Sequence, residues 1–390
     1  MKPVYLDYSA TTPLDPRVLE AMIPHFGENF GNASSIHAFG RKARAALEES
    51  RETIAGCINA PHDTLIFTSG GTEADNYAVR GVASALGKKG RNHLIVSAVE
   101  HHAVLDTALA LRAEGFNVDV ARVDEKGTID LDHLRSLVNN RTGLVSVMHV
   151  NNEVGTIEPV REAAEIAHNA GAVFHVDAVQ SFGKIPVNVD ELGADLLTLS
   201  AHKIYGPKGI GALYIRKGVA IDSLLTGGGQ EQNRRAGTES VALAVGFARA
   251  AEIAIESMEH DSTHVRTLQR ELHAKIADYP GIVFNGHPES AIPHILNVSF
   301  NTPGIDGEAM IIGMDLRGVA VTSGSACTSG TLEPSHVLLA MGRPESTARA
   351  TIRFSLGRQT TMEEIETAVA ALKEVLATIK RPLGNPKSEF

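Results

Sequence analysis

Five short apolar runs in this 390-residue chain each end in side chains able to do chemistry. TLIFTS is followed by GGTEADN, where Gly71 and Thr72 open an amphipathic stretch. A glycine turn feeding a helix N-terminus cradles an anion, because free amide N–H groups and the helix dipole both point at it. Neither the Walker spacing nor G-x-G-x-x-G is present, so a single phosphate fits better than a nucleoside triphosphate or a dinucleotide. Thr72 and Asp75, three residues apart, have the spacing of a capping box. HLIVSA leads to His101 and His102, GLVSVMHV to Asn151 and Asn152, AVFHV to Asp177 and Gln180, and DLLTL to Ser200, His202 and Lys203. Each has an ordinary explanation alone, as a helix cap, a satisfied histidine or a solvated lysine. Together they form the donor set that pyridoxal 5'-phosphate requires. A lysine makes the Schiff base, a cradle holds the phosphate, and a carboxylate keeps the pyridine nitrogen protonated so that the ring draws in electrons. His101 is available to stack on such a ring.

The elements that must position these groups follow from the same runs. Strand-length apolar segments alternating with longer helical patterns, such as TEADNYAVRGVASALG and VREAAEIAHNAG, predict βαβ units and a mostly parallel sheet. In such sheets ligands bind beyond the C-terminal ends of the strands, which is where the polar residues collect. After GALYIR the pattern changes to one long or kinked helical segment, ESVALAV to ADYP, closed by Pro280. PHILNVSF and ATIRFSLG then read as strands and MEEIETAVAALKEVLATIK as a last helix, its acidic start favoured by the dipole. The fold class is therefore α/β: a large domain over 15–258 with helices flanking the sheet, and a smaller α+β domain built from 1–14 and 259–390.

Length alone argues for two domains, since one core seldom serves so many residues. A net charge of -10 without a basic block argues against nucleic-acid or membrane-surface binding. The start MKPVYLDYSA has neither a charged leader nor an apolar segment, no run is long enough to span a bilayer, and two cysteines make no disulfide framework. The expectation is a cytoplasmic protein with reduced thiols. Cys57 ends an apolar-periodic helix and reads as packing. Cys327, in SGSACTSG, has only small neighbours; an inert buried thiol and a reactive one both fit that octapeptide. His260 and His264 share a helix face but have no third ligand at suitable spacing, so they read as solvated and no resident metal is expected.

The chain resembles the cysteine desulfurases of the NifS/IscS group, within the class V, fold-type I pyridoxal phosphate enzymes. The resemblance runs through nearly the whole chain: YLDYSATTPLDP, FGNASSIHAFGR, SGGTEADN, EHHAVLDT, MHVNNEVG, HVDAVQ, SAHKIYGPKGIGALY, GGGQEQNRRAGT, SGSACTSGTLEPSHVLLAMG and IRFSLGR. It implies that Lys203 carries the cofactor, Asp177 pairs with the pyridine nitrogen, Gln180 bonds the ring hydroxyl and His101 stacks on the ring. Gly71, Thr72, Ser200 and His202 would hold the phosphate, joined by Thr238 from the second subunit of a homodimer. Asn152 and Arg353 would bind the substrate carboxylate, a two-pronged task suited to a guanidinium. Cys327 would accept sulfur from L-cysteine, leaving alanine and a persulfide for an acceptor protein in Fe–S assembly or tRNA thiolation, and would at most be a transient Fe–S ligand. His101 would carry protons, since imidazole titrates near neutrality.

Two departures stand out: Tyr8-Ser9 replaces Asn-Ala, and Ala33 replaces the usual Pro; both are expected to lie away from the chemistry. The ending IKRPLGNPKSEF offers no appended domain, which leaves the acceptor open. Rival readings are a selenocysteine lyase or another transferase of the same fold, although a transaminase needs no thiol at Cys327. A non-enzymatic sulfur-carrier scaffold would need convergent ligands that two distant cysteines do not supply.

Overall fold

The computed structural model describes residues 3–302, 304–324 and 333–379. A short first strand, β1 (Val4–Tyr5), precedes the seven that build the main sheet: β2 (Leu65–Thr68), β3 (His93–Ser97), β4 (Asn117–Ala121), β5 (Thr142–Ser146), β6 (Val173–Asp177), β7 (Leu196–Ser200) and β8 (Gly211–Ile215). Their order is β2-β8-β7-β6-β5-β3-β4; β8 runs antiparallel to both neighbours and the remaining pairs are parallel. Every residue of β3, β5, β7 and β8 is buried. That explains why these strands read as continuous apolar runs, for a sheet covered on both faces has no solvent side to encode.

The pleat divides the strand residues between two cores. In β7, Leu196 packs with the helices Gly71–Gly87 and His102–Ala110, while Leu197 and Leu199 face the helices Ala38–Gly56 and Val160–Asn169. The helix expected to be long or kinked is one α-helix, Val241–Ile276. Its first half, through Phe247 and Ile253, belongs to the large core; Val265, Leu268, Leu272 and Ile276 belong to a second core. Alanine-rich turns without an internal Gly–Pro break let it run through.

The second core covers β9 (Ile282–Asn285), β10 (Ile295–Phe300), β11 (Val319–Ala320) and β12 (Thr351–Ser355). β12, β10 and β9 form an antiparallel sheet, while β1 pairs in parallel with β11. Bridges Asp7–Ser355 and Thr322–Arg353 tie that pair to β12. β1, β9 and β11 were not legible as strands, because two of them are two residues long and β9 is only half-buried. The final helix, Met362–Ile379, has a capping box: Thr361 N–H donates to Glu364, and Glu364 N–H to the Thr361 hydroxyl.

Candidate active site

Most of the predicted side chains sit at, or just beyond, the end of an element. Asp177 is the last residue of β6; Lys203 closes a 3-10 turn, Ala201–Lys203, directly after β7; Arg353 sits in β12 of the small sheet. Gly71 begins its helix so close to Val179 that a Cβ there would come 3.0 Å from a Val179 methyl. A cleft of about 440 Å³ at the C-terminal edge of the large sheet is lined by Gly71, Thr72, His101, Asn152, Asp177, Gln180, Ser200, His202, Lys203 and Arg353. Ten residues spread over 282 positions of sequence thus face one space, and of these Arg353 comes from a strand of the small sheet.

The Lys203 ammonium donates to the carbonyls of Ser9 and Ala10 at 2.6 and 2.8 Å. Burial and the neighbouring Arg353 push it down to about 8, against the pull of Asp177 and Asp7. A lysine so depressed offers a nucleophilic amine close to neutral pH. The Ser9 contact corrects the expectation that Tyr8 and Ser9 lie away from the chemistry. Ser9 lines the cleft, and backbone carbonyls reach where its side-chain type could not have advertised it. Ala33, by contrast, packs in the large core.

Asp177 accepts the Val179 N–H at 2.9 Å, and burial raises it to about 6 while Lys203 opposes the rise. Asp75 is buried beside it, not in a capping box with Thr72. The helix is capped by Gly70 without a side-chain bond, and Asp75 turns to the sheet, 3.7 Å from His175. Burial first, then Asp177, holds Asp75 well above the usual carboxylate range. Burial also keeps His175 neutral, down near 3, between the hydroxyls of Ser146 and Thr198. Two carboxylates buried side by side cannot both ionise cheaply.

His101 N-caps the helix His102–Ala110, its Nδ1 accepting from Ala103 N–H at 3.1 Å, so the ring proton sits on Nε2. Burial, Lys203 and His102 push it down to about 4. The expectation that it titrates near neutrality is therefore corrected: the ring is neutral, which suits stacking. His202 is pushed down to about 4 by burial and Lys203, with Nδ1 beside the Thr11 hydroxyl at 3.1 Å.

Arg353 donates to the Asn152 carbonyl at 2.7 Å and to Asp7 at 2.9 Å, and its buried Nε has no partner among the described residues. Asp7 was missed because it lies 346 residues from Arg353 in sequence. Thr238 does not reach the cleft of its own chain; it lines a separate hollow with Phe67, Glu231 and Arg235. Its segment is anchored by Glu231, whose carboxylate meets the buried Arg51 at 2.6 and 2.9 Å and the Phe67 N–H at 2.8 Å. That anchor holds Glu231, Gln232 and Asn233 at φ of 45°, 59° and 61°, a left-handed run that would otherwise be costly.

Cys327 lies outside the described residues. Upstream of it Thr322 and Gly324 line the cleft; downstream His336 bonds the Glu100 carbonyl at 2.9 Å and its ring stands 4.5 Å from that of His102. Cys57 caps its helix, half-buried against the large core, and burial pushes its thiol up to about 11. His260 is exposed beside Asp261, whereas His264 is not simply solvated: it bonds the Thr360 carbonyl. Among the described residues no three His, Cys, Asp or Glu side chains gather as a metal site.

The residues present fit pyridoxal phosphate on the evidence of what they lack. Among the described residues the buried Ser200 hydroxyl has no hydrogen-bond partner beside Thr72 and the helix N-terminus, as a phosphate oxygen would require. Asp177 has no salt bridge among the described residues, and a pyridinium N–H would supply the missing cation.

The chain matches the class-V aminotransferase family over residues 4–367. The protein named cysteine desulfurase IscS from Dictyoglomus turgidum is 49% identical over 381 residues, covering 97% of this chain and 95% of that one. A solved NifS-like protein superposes with a TM-score of 0.90 at 38% identity, covering 96% of this chain and 100% of its own. A structure titled SspA in complex with cysteine gives 0.80 at 35% identity, covering 92% and 100%. A cleft fitted to pyridoxal phosphate, on a fold shared from end to end with these proteins, places this chain in the class-V aminotransferase family and, within it, among the cysteine desulfurases.

Proposed function

We propose that this chain converts L-cysteine to L-alanine and passes the sulfur, as a persulfide on Cys327, to an acceptor protein. The observation that carries the reading is the meeting in one cleft of Lys203, Asp177, the unpartnered Ser200 hydroxyl and Arg353. When bound, pyridoxal phosphate supplies the electron sink that makes the substrate Cα acidic. Lys203 would hold the cofactor, and its amine, when free, would take the Cα proton. Asp177 would neutralise the pyridinium charge, His101 would stack on the ring, and Thr72, Ser200 and His202 would hold the phosphate. Arg353 and Asn152 orient the substrate carboxylate, with Asp7 fixing the guanidinium. Cys327 follows the cleft residue Gly324 by three positions in the sequence. Its thiolate forms an S–S bond to the substrate sulfur as the Cβ–S bond breaks, its electron pair staying on Cβ to be protonated.

Incubated with L-cysteine and dithiothreitol, the pyridoxal phosphate enzyme releases alanine and sulfide in equal amounts. A keto acid in place of alanine would make it a transaminase, and turnover restricted to selenocysteine would make it a lyase. The structure titled SspA in complex with cysteine supports cysteine as the substrate.

The working unit is a homodimer. Thr238 stays out of its own cleft, and Ile23, Phe26, Phe30, Ile36 and Phe39 expose apolar side chains that a second copy would cover. Light scattering is expected to give twice the 41.4 kDa chain mass, and a fully active monomer would refute this. We place the domain division at residue 258, within the helix that serves both cores. No helix among the described residues is long and apolar enough to cross a membrane.

A further inference from the structure

Behind the cleft, Lys184 is a basic side chain that the proposed chemistry does not use. It lies four residues beyond Gln180 and donates to Gln180 Oε1 at 2.7 Å. Gln180 Nε2 in turn donates to the Ser9 carbonyl at 2.9 Å, and the same carbonyl accepts from Lys203 at 2.6 Å. Lys184, Lys203 and Ser9 also line a second, narrow cavity of about 30 Å³, together with His294 and Asp261. A short relay thus joins Lys184 to the Schiff-base lysine through one amide and one carbonyl.

An amide side chain can present either its oxygen or its nitrogen, and its neighbours decide which. An ammonium has three donors and no acceptor, so it can face only Oε1; a carbonyl has no donor, so Ser9 can face only Nε2. Both demands agree. Nε2 carries a second N–H, and Gln180 lines the cleft. The charge-assisted bond from Lys184 is the stronger of the two restraints.

We propose that Lys184 is a positioning residue that locks the Gln180 amide with its N–H toward the cleft, making Gln180 a donor to an anionic oxygen of the bound cofactor. The inference rests on the cofactor reading above and concerns a residue for which that reading has no role. Burial, Lys203 and Arg353 push Lys184 down to about 7, and His294 and Asp261 are further titratable groups on the cavity it lines. The lock is therefore tested at pH 6.5, where the lysine retains much of its ammonium form.

The test is a double-mutant cycle on holoenzyme, read as the dissociation constant of pyridoxal phosphate and as the visible absorbance of the bound cofactor. Lys184→Met is expected to weaken cofactor binding about tenfold and to shift the absorbance band. Lys184→Arg, still a donor without an acceptor, is expected to restore both. On a Gln180→Ala background Lys184→Met should change affinity less than twofold, because no amide remains to orient. Should Lys184→Met not fold, Lys184→Gln takes its place, since an amide there can satisfy either end of Gln180. Equal losses with and without Gln180, or unchanged affinity and absorbance in both single Lys184 variants, overturn the assignment. Failure of the unmutated protein to bind pyridoxal phosphate would instead remove the cofactor reading itself, a distinguishable result.

Discussion

Lys203→Ala is expected to lower alanine formation from L-cysteine about a thousandfold, equivalent to ~4 kcal/mol of transition-state stabilisation. The cleft is expected to keep its shape with that substitution. Asp177, Ser200, Thr72 and the helix N-terminus remain, so cofactor still binds, only without a covalent tether. Borohydride should fix one pyridoxyl group on the unmutated chain and none on the variant, which mass spectrometry reads directly. The position of the lysine makes the loss large. Its amine is held by the Ser9 and Ala10 carbonyls and pushed down to about 8, so no other described amine in the cleft replaces it. Exogenous methylamine should restore part of the rate by standing in for the missing base. A variant that keeps half its activity, or is still fixed by borohydride, would remove Lys203 from its role.

Cys327→Ser is expected to lower sulfide release more than a hundredfold while leaving cofactor loading and the borohydride adduct intact. A serine hydroxyl is a far weaker nucleophile toward sulfur than a thiolate and can form no persulfide. After brief exposure to cysteine, an electrophilic probe should label a persulfide on the unmutated chain and not on the variant. Cys57→Ser is the control. Its thiol is half-buried against the large core and pushed up to about 11, which leaves almost no thiolate at neutral pH, so sulfide release should be unchanged. Undiminished sulfide from Cys327→Ser would return SGSACTSG to a structural reading; a loss on Cys57→Ser would assign the wrong thiol.

Much of this was written locally. Strand length, the glycine turn before Thr72 and the polar residues after each apolar run come from short-range rules, and they suffice to bring a lysine, a carboxylate and an expected phosphate cradle to one sheet edge. The long helix, the parallel sheet and the quiet role of Cys57 were legible for the same reason. The capping-box reading of Asp75 failed because spacing describes a helix end but not which face the sheet will bury.

Tertiary structure decided what depends on distance through space and on exclusion of water. Ser9 and Ala10 reach Lys203 across more than 190 residues of chain, and Asp7 reaches Arg353 across 346, contacts that no window of sequence contains. His101 near 4, Asp177 near 6 and Lys203 near 8 are set by burial and by neighbours from other elements. Residue type alone predicts the ordinary values, because desolvation belongs to the packed state. The orientation of the Gln180 amide likewise waits on Lys184 and Ser9. The amino-acid sequence determined which groups the site contains; the packing of two cores around it determined their charge, their aim and their partners.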